Sequence, residues 1–476
     1  MMATFSSSQS HKDDEEHEDQ IQITSRQSSS TSRNAFITNE YDDIMNGNSL
    51  DNDETVIVSH NSASGYIGGY PTSIALDRCK RHVLAPYLRF ISFLGWLPIF
   101  RVGPSNQSFC ESAINFVYPV LVICFIFGAY TIQCFTCFRR DTPFIKTING
   151  SVHCSDSIIS QYIIPDILHS VAYFYCFYLY RFAGSEHLQT NMQRTFLQAR
   201  PTDFGENSQK KLIRILRVFL YSGIAIVGAS FLIQLFHLII RINRDQGLAL
   251  LWHPMIKIHD SRLIVLGFFL LAGFIMLDSV YIALVINYAS HCQLLIVYIR
   301  GLKQKIIERT CNLENAMKEI QNTAGYVAEL NDVIAPAASI ILFNFATSSI
   351  LGLNALILGR QDDFDVATYA DTILSILLWL TLLSIPFVQA SRLTSYCRSL
   401  KKLGIRVRVR PFVYQNEPRE DLDSFLQFTS EIKMRAKLFK VPVVSSTLFF
   451  MLVTIALVAL ILFQLGILSI WFAPQN

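Results

Sequence analysis

Ionisable and polar side chains interrupt several long apolar runs of this chain, and chemistry is to be sought there. Tyr162, Asp166 and His169 fall in one run, Gln234 and His237 in the next. Asp278 and Tyr281 share a third, and Ser375 and Trp379 share a later one. An ionisable group within such a run is costly to bury unless it faces protein, ligand or water. Aromatic and polar groups gathered in that setting would line a pocket for a small-molecule ligand. Hydrogen bonding between helices explains any single one of them equally well.

The last apolar run, PVVSSTLFFMLVTIALVALILFQLGILSIW, carries a second pattern. At about 100° per residue, Ser446 and Gln464 point the same way, and Thr454 and Thr447 lie about 80° and 100° round from them. A sparse polar stripe on an apolar rod suits a helix lining a pore, where polar rings alternate with constrictions that gate by dewetting. It also suits a helix that bonds to its neighbours through Ser, Thr and Gln.

Other chemistries lack their signatures. The chain has no Walker loop, GxGxxG, GxSxG or HExxH, so neither an enzyme nor a cofactor is expected. The one CxxC, Cys134 to Cys137, has no second pair or nearby His to complete a metal site. A bridge from Cys137 to Cys154 is open by sequence alone. Asn149-Gly150-Ser151 is a glycosylation sequon. Asn106-Gln107-Ser108 also matches but falls on the side expected to be cytoplasmic.

The elements that would position these residues are helices in a membrane. Of 476 residues 51% are hydrophobic and 16% charged, with a mean hydropathy of +0.33. Soluble domains carry about 25% charged residues. A crossing needs roughly 20 apolar residues. Seven such spans are predicted, near 113–136, 158–180, 212–240, 263–290, 334–358, 369–390 and 442–472. The second is the weakest, because Pro165, Asp166 and His169 interrupt it. The expected fold class is an all-α membrane protein, with residues 80–476 as the transmembrane domain. Residues 1–75 are acidic and Ser-rich without an apolar period, which predicts a disordered cytoplasmic tail. Residues 84–101, LAPYLRFISFLGWLPIFR, predict an amphipathic helix at the inner interface.

Charge sets the orientation. The connections 78–111, 181–211, 300–318 and 391–440 hold 27 Lys/Arg, and the alternate set holds 8. The positive-inside rule puts the first set in the cytoplasm. The N-terminus is then cytoplasmic and the C-terminus extracellular. The basic surplus is explained by membrane anchoring, so no nucleic-acid partner is expected. Two cytoplasmic stretches, 291–333 and 391–441, carry helical apolar stripes: Leu313, Met317, Ile320, Val327, Leu330 and Ile334, then Leu422, Phe425, Phe428, Ile432 and Ala436. Such faces need partners within one chain or between copies. G-protein-coupled receptors have the opposite orientation and Asp-Arg-Tyr and Asn-Pro-x-x-Tyr signatures that this sequence lacks.

This layout resembles the insect gustatory and odorant receptor superfamily over roughly residues 80–476. The segment 84–101 looks like the one preceding the first span of gustatory receptors. The family's last helix carries Thr-Tyr, five apolar residues, then Gln-Phe. The aligned stretch here runs from Leu457 to Leu465, matching the apolar run and Gln464 but having Leu457-Val458 for Thr-Tyr and Leu465 for Phe.

The resemblance implies a tetrameric, ligand-gated, non-selective cation channel in the plasma membrane. It implies a pore built from the last helices with Gln464 in its wall. It also implies a cytoplasmic anchor of helical extensions and a ligand pocket in each subunit's outer half. The pocket residues Tyr162, Asp166, His169, Gln234, His237, Tyr281, Ser375 and Trp379 are read from depth and chemistry alone. Two other classes stay open: a multi-pass solute transporter, and a seven-helix signalling receptor without a pore.

Overall fold

The computed structural model of the chain describes residues 79–99, 109–136, 146–148, 151–153, 163–182, 203–243, 260–358, 366–409, 418–444 and part of 446–461. The expected tail 1–75, Tyr162, the sequon Asn149, Gln464, Cys137 and Cys154 lie outside the described residues.

The described chain is a helical bundle. The helices are α1 (Ala85–Phe93), α2 (Phe109–Thr136), α3 (Ile164–Arg181), α4 (Asp203–Asn243), α5 (Asp260–Ile307), α6 (Leu313–Glu329), α7 (Ala335–Leu358), α8 (Val366–Val409) and α9 (Arg419–Glu431). Two small hairpins join them, β1 (Lys146–Ile148) with β2 (Ser151–His153), and β3 (Lys437–Leu438) with β4 (Val441–Pro442). Helical residues recur from 446 to 461.

Among the described residues, five helices are long and apolar enough to cross a membrane: Phe109–Phe135, Lys210–Ile239, Val265–Ile307, Leu313–Leu353 and Ala370–Val407. They fall on five of the seven expected spans. The second expected span is α3, with 18 residues and polar interruptions at Asp166 and His169. The seventh falls largely outside the described residues. The most apolar window of α5 is 78% buried, whereas that of α4 is 22% buried. The bundle is therefore built around α5, with α2, α4 and α8 packed on it and one face of α4 left exposed at Val218, Tyr221, Ile224 and Leu232.

Among the described residues, three wide helical turns lie just ahead of prolines. The π-turns Lys80–Leu84 and Leu330–Ile334 each end two residues before a proline, Pro86 and Pro336, and a similar turn at Ile163 precedes Pro165. Proline donates no hydrogen bond and collides with the carbonyl four residues back. A turn widened to the fifth residue removes that conflict without ending the helix. So α6 runs through Leu330–Ile334 into α7, and Leu313–Leu353 is one rod.

The helices overrun the bilayer, as the two apolar stripes predict. With 48 residues, α5 is about 72 Å long at 1.5 Å per residue, against a hydrocarbon core of about 30 Å. At the end carrying the basic connections, α6, α9 and the overrunning parts of α5 and α8 pack together. Ile320, Val327 and Leu330 are buried, as are Leu400, Leu403 and Phe425. The two stripes thus find partners within one chain. Here α8 and α9 come close enough that a Cβ on Gly404 would stand 2.1 Å from Thr429 Oγ1.

One expectation needs correction. The stripe at 422–436 does not continue as helix: α9 ends at Glu431 and Ile432 is extended. The chain then turns through the β3–β4 hairpin, whose turn residues Phe439 and Lys440 both have positive φ, 54° and 60°. Two left-handed residues are what a type I′ hairpin turn requires. Pro442 therefore ends a strand, and the first described helical residue after it is 446. Within the segment 84–101, the helix ends at Phe93. Gly95 turns the chain with φ 77°, Trp96 is fully buried, and its ring stacks on Tyr180 at 5.8 Å between centroids. Tyr173 Oη donates to Leu94 O at 2.8 Å, tying the turn to α3.

Candidate functional site

Three of the expected pocket residues meet in one buried cluster between α2, α3, α5, α7 and α8. His169 on α3 lies against the Tyr281 ring of α5, edge to face, with centroids 4.4 Å apart. Its Nε2 is 3.2 Å from Leu277 O. A carbonyl only accepts, so Nε2 carries the proton, and in the neutral ring Nδ1 accepts from the Tyr130 hydroxyl of α2. Tyr281 also meets Trp379 of α8 at 5.6 Å and Phe345 of α7 at 5.2 Å. Trp379 and Phe345 stack at 5.3 Å. Asn344 Nδ2 donates to Tyr281 Oη at 2.8 Å and to Pro165 O at 3.3 Å.

Helix periodicity explains why α8 and α5 supply these groups. Asp371, Ser375 and Trp379 are spaced by four, and Asp278 and Tyr281 by three, so each set lies along one face. The chain buries these faces. Ser230, Gln234 and His237 make the matching face of α4, and all are buried. His237 Nδ1 donates to Asp371 Oδ2 at 2.6 Å, and Ser230 Oγ donates to Asp278 Oδ2. Gln234 Oε1, Ser375 Oγ, Asp371 Oδ1 and Asn344 Oδ1 are buried with no hydrogen-bond partner. Buried polar atoms are nearly always paired in native proteins. Buried acceptors left without partners can receive donors from a small molecule.

The remaining expected residues are placed differently. Asp166 is only partly buried, with Cys134 Sγ 3.9 Å from its Oδ2. On the final helical stretch Ser446 and Thr454 are exposed and Thr447 partly so. Thr447 Oγ1 accepts from Val444 N at 3.0 Å, and Thr454 Oγ1 donates to Phe450 O at 2.8 Å. Both bonds are local to the stretch.

Tyr130, Asn344, Phe345 and Asp371 were not among the expected site residues. Asp371 carried a usable signal, an ionisable group two residues inside the expected sixth span. Asn344 interrupts an apolar run, a weaker mark. Tyr130 and Phe345 are ordinary aromatic residues of apolar helices and carried none.

No family model matches the chain, and no curated protein matches it by sequence. Solved structures do match. The insect olfactory receptor OR5 from Machilis hrabei superposes with a TM-score of 0.57 over 83% of this chain and 100% of that one, at 15% identity. The same receptor in complex with eugenol superposes with a TM-score of 0.57 over 81% of this chain and 99% of that one, at 13% identity. The chain therefore has the fold of an insect olfactory receptor.

Proposed function

We propose that this chain is a subunit of a chemoreceptor-like, ligand-gated, non-selective cation channel of the plasma membrane, tetrameric and opened by a small molecule. The observation that carries this reading is the joining of His169, Tyr281, Asn344 and Trp379 from four helices into one buried aromatic and polar cluster. It sits in a fold shared with a receptor known in complex with eugenol. In this reading seven helices cross the membrane, the N-terminus is cytoplasmic and the cluster lies in the outer half. The last helices of four subunits line the pore with Ser446, Thr447, Thr454 and Gln464.

Contacts at the basic end support a path from ligand to pore. The hairpin preceding the final helical stretch hangs on α7, α8 and the turn between α6 and α7. Ser339 Oγ accepts from Phe439 N at 2.9 Å, Thr394 Oγ1 accepts from Ala436 N at 3.1 Å, and Asn331 Oδ1 accepts from Lys437 N at 2.8 Å. A ligand that parts Tyr281 from Trp379 shifts α5 against α8, and that shift reaches the foot of the pore helix. Coupling of this kind requires a packed element with two arrangements.

Whole-cell recording during application of aromatic and aliphatic odorants, eugenol included, tests the proposal. The expected result is a cation current that Gln464→Ala alters and Tyr281→Ala abolishes. No current from the plasma-membrane-localised protein with any ligand would defeat it. Asp278 and Asp371, both buried, favour a second reading, an ion-coupled solute transporter. Uptake of labelled solute without membrane current would select that alternative.

A further inference from the structure

A separate cavity of about 320 Å³ opens between α4, α5 and α8. Its walls include Gly223, Val285, Ile286, Leu382, Ile385 and Gln389. None of these belongs to the cluster around Tyr281. Gln389 is 10 residues along α8 from Trp379, about 15 Å toward the basic end at the α-helical rise. The volume is at the small end of ligand cavities, about 300–1,000 Å³. The cavity opens sideways between α4 and α8, where Val218 and Val388 are exposed.

Its chemistry is almost wholly apolar, with no charged residue in the lining. The exception is Gln389, which is 6% exposed and whose Oε1 has no hydrogen-bond partner. The two serines of the lining use their protons elsewhere: Ser222 Oγ donates to Phe219 O at 2.9 Å and Ser384 Oγ to Thr381 O at 2.8 Å. The cavity thus offers apolar walls and one unsatisfied amide. A water molecule is held by two to four polar partners, so it is a poor filler here. A hydroxyl both donates and accepts, so it completes the amide whichever way the side chain is turned.

We propose that the α4–α5–α8 cavity binds an uncharged apolar alcohol, reached through the bilayer, with its hydroxyl on the Gln389 amide. Two sources share that chemistry, a membrane sterol and a short-chain alcohol from solution. The site is independent of the channel reading, because the claim concerns binding alone.

The test uses the full chain in lipid nanodiscs and a photoactivatable diazirine derivative of a medium-chain alcohol, with the labelled residues mapped by mass spectrometry. Labels are expected on the cavity walls of α4, α5 and α8. The matching diazirine alkane, lacking the hydroxyl, is expected to label these walls about tenfold less, the size of one hydrogen bond. Gln389→Leu is expected to remove that difference. Displacement of the label by a sterol names the lipid source, and displacement by a short-chain alcohol names the soluble one. Equal labelling by alkane and alcohol overturns the proposal, as does displacement by neither competitor or a cross-link showing a second copy seated in the cavity. The alkane comparison needs no variant, so it decides the matter even if Gln389→Leu fails to fold. Because no current is measured, a non-conducting protein leaves this test intact.

Discussion

The Tyr281 hydroxyl serves structure, because it is one of two acceptors for Asn344 Nδ2. Tyr281→Phe leaves that donor with only the longer bond to Pro165 O. A weakened buried amide costs about 1–2 kcal/mol, to be read from denaturant titration in detergent micelles. An unchanged midpoint would mean the amide finds another partner. The His237–Asp371 pair is a stronger case, since the two side chains are 7% and 3% exposed. His237→Leu removes the donor and strands a buried carboxylate, a loss of about 3–5 kcal/mol. His237→Gln keeps a donor and should recover part of it. Similar losses from both substitutions would show that the bond contributes little.

At the scale of elements, two sites control how the basic end holds the last helical stretch. Gly404 lets α8 and α9 touch, and an added Cβ would meet Thr429 Oγ1 at 2.1 Å. Gly404→Leu should split the contact, and the purified protein should lose its monodisperse profile in size-exclusion chromatography. In the hairpin, Lys440 has φ 60° without being glycine. Lys440→Gly removes strain of about 1 kcal/mol and should raise the thermal midpoint. A fall would show that the Lys440 side chain holds the turn by contacts stronger than the strain.

For the whole molecule, the single chain leaves a broad apolar surface uncovered. Phe116, Leu121, Tyr221, Leu232 and Phe268 are exposed on α2, α4 and α5, and Phe449, Phe450, Leu457, Leu460 and Ile461 on the final helical stretch. The first group suits lipid. The second belongs to the helix proposed to meet three copies of itself. Mass photometry of the protein in nanodiscs should give four chains per particle, and an epitope tag after Asn476 should be reached by antibody on intact cells. A monomeric particle, or a tag reached only after permeabilisation, would remove the pore from the proposal.

Hydropathy and charge in the sequence determined that this is a multi-pass helical protein, and put five of the expected spans on its long helices. Spanning segments are read reliably because lipid offers the backbone no alternative partner. Periodicity likewise marked the packed stripes from Leu313 to Ile334 and from Leu422 to Phe428. Tertiary structure alone decided that His169, Tyr281 and Trp379, from helices far apart in the chain, share one cluster, and that Asp371 rather than solvent satisfies His237. It also decided that Trp96 is buried against Tyr173 and Tyr180, and that a hairpin separates α9 from the last helical stretch. The reason is physical. Burial of an apolar run depends on its own composition, whereas the partner of a polar group depends on which helix faces it, and helix packing sets that across more than a hundred residues of chain.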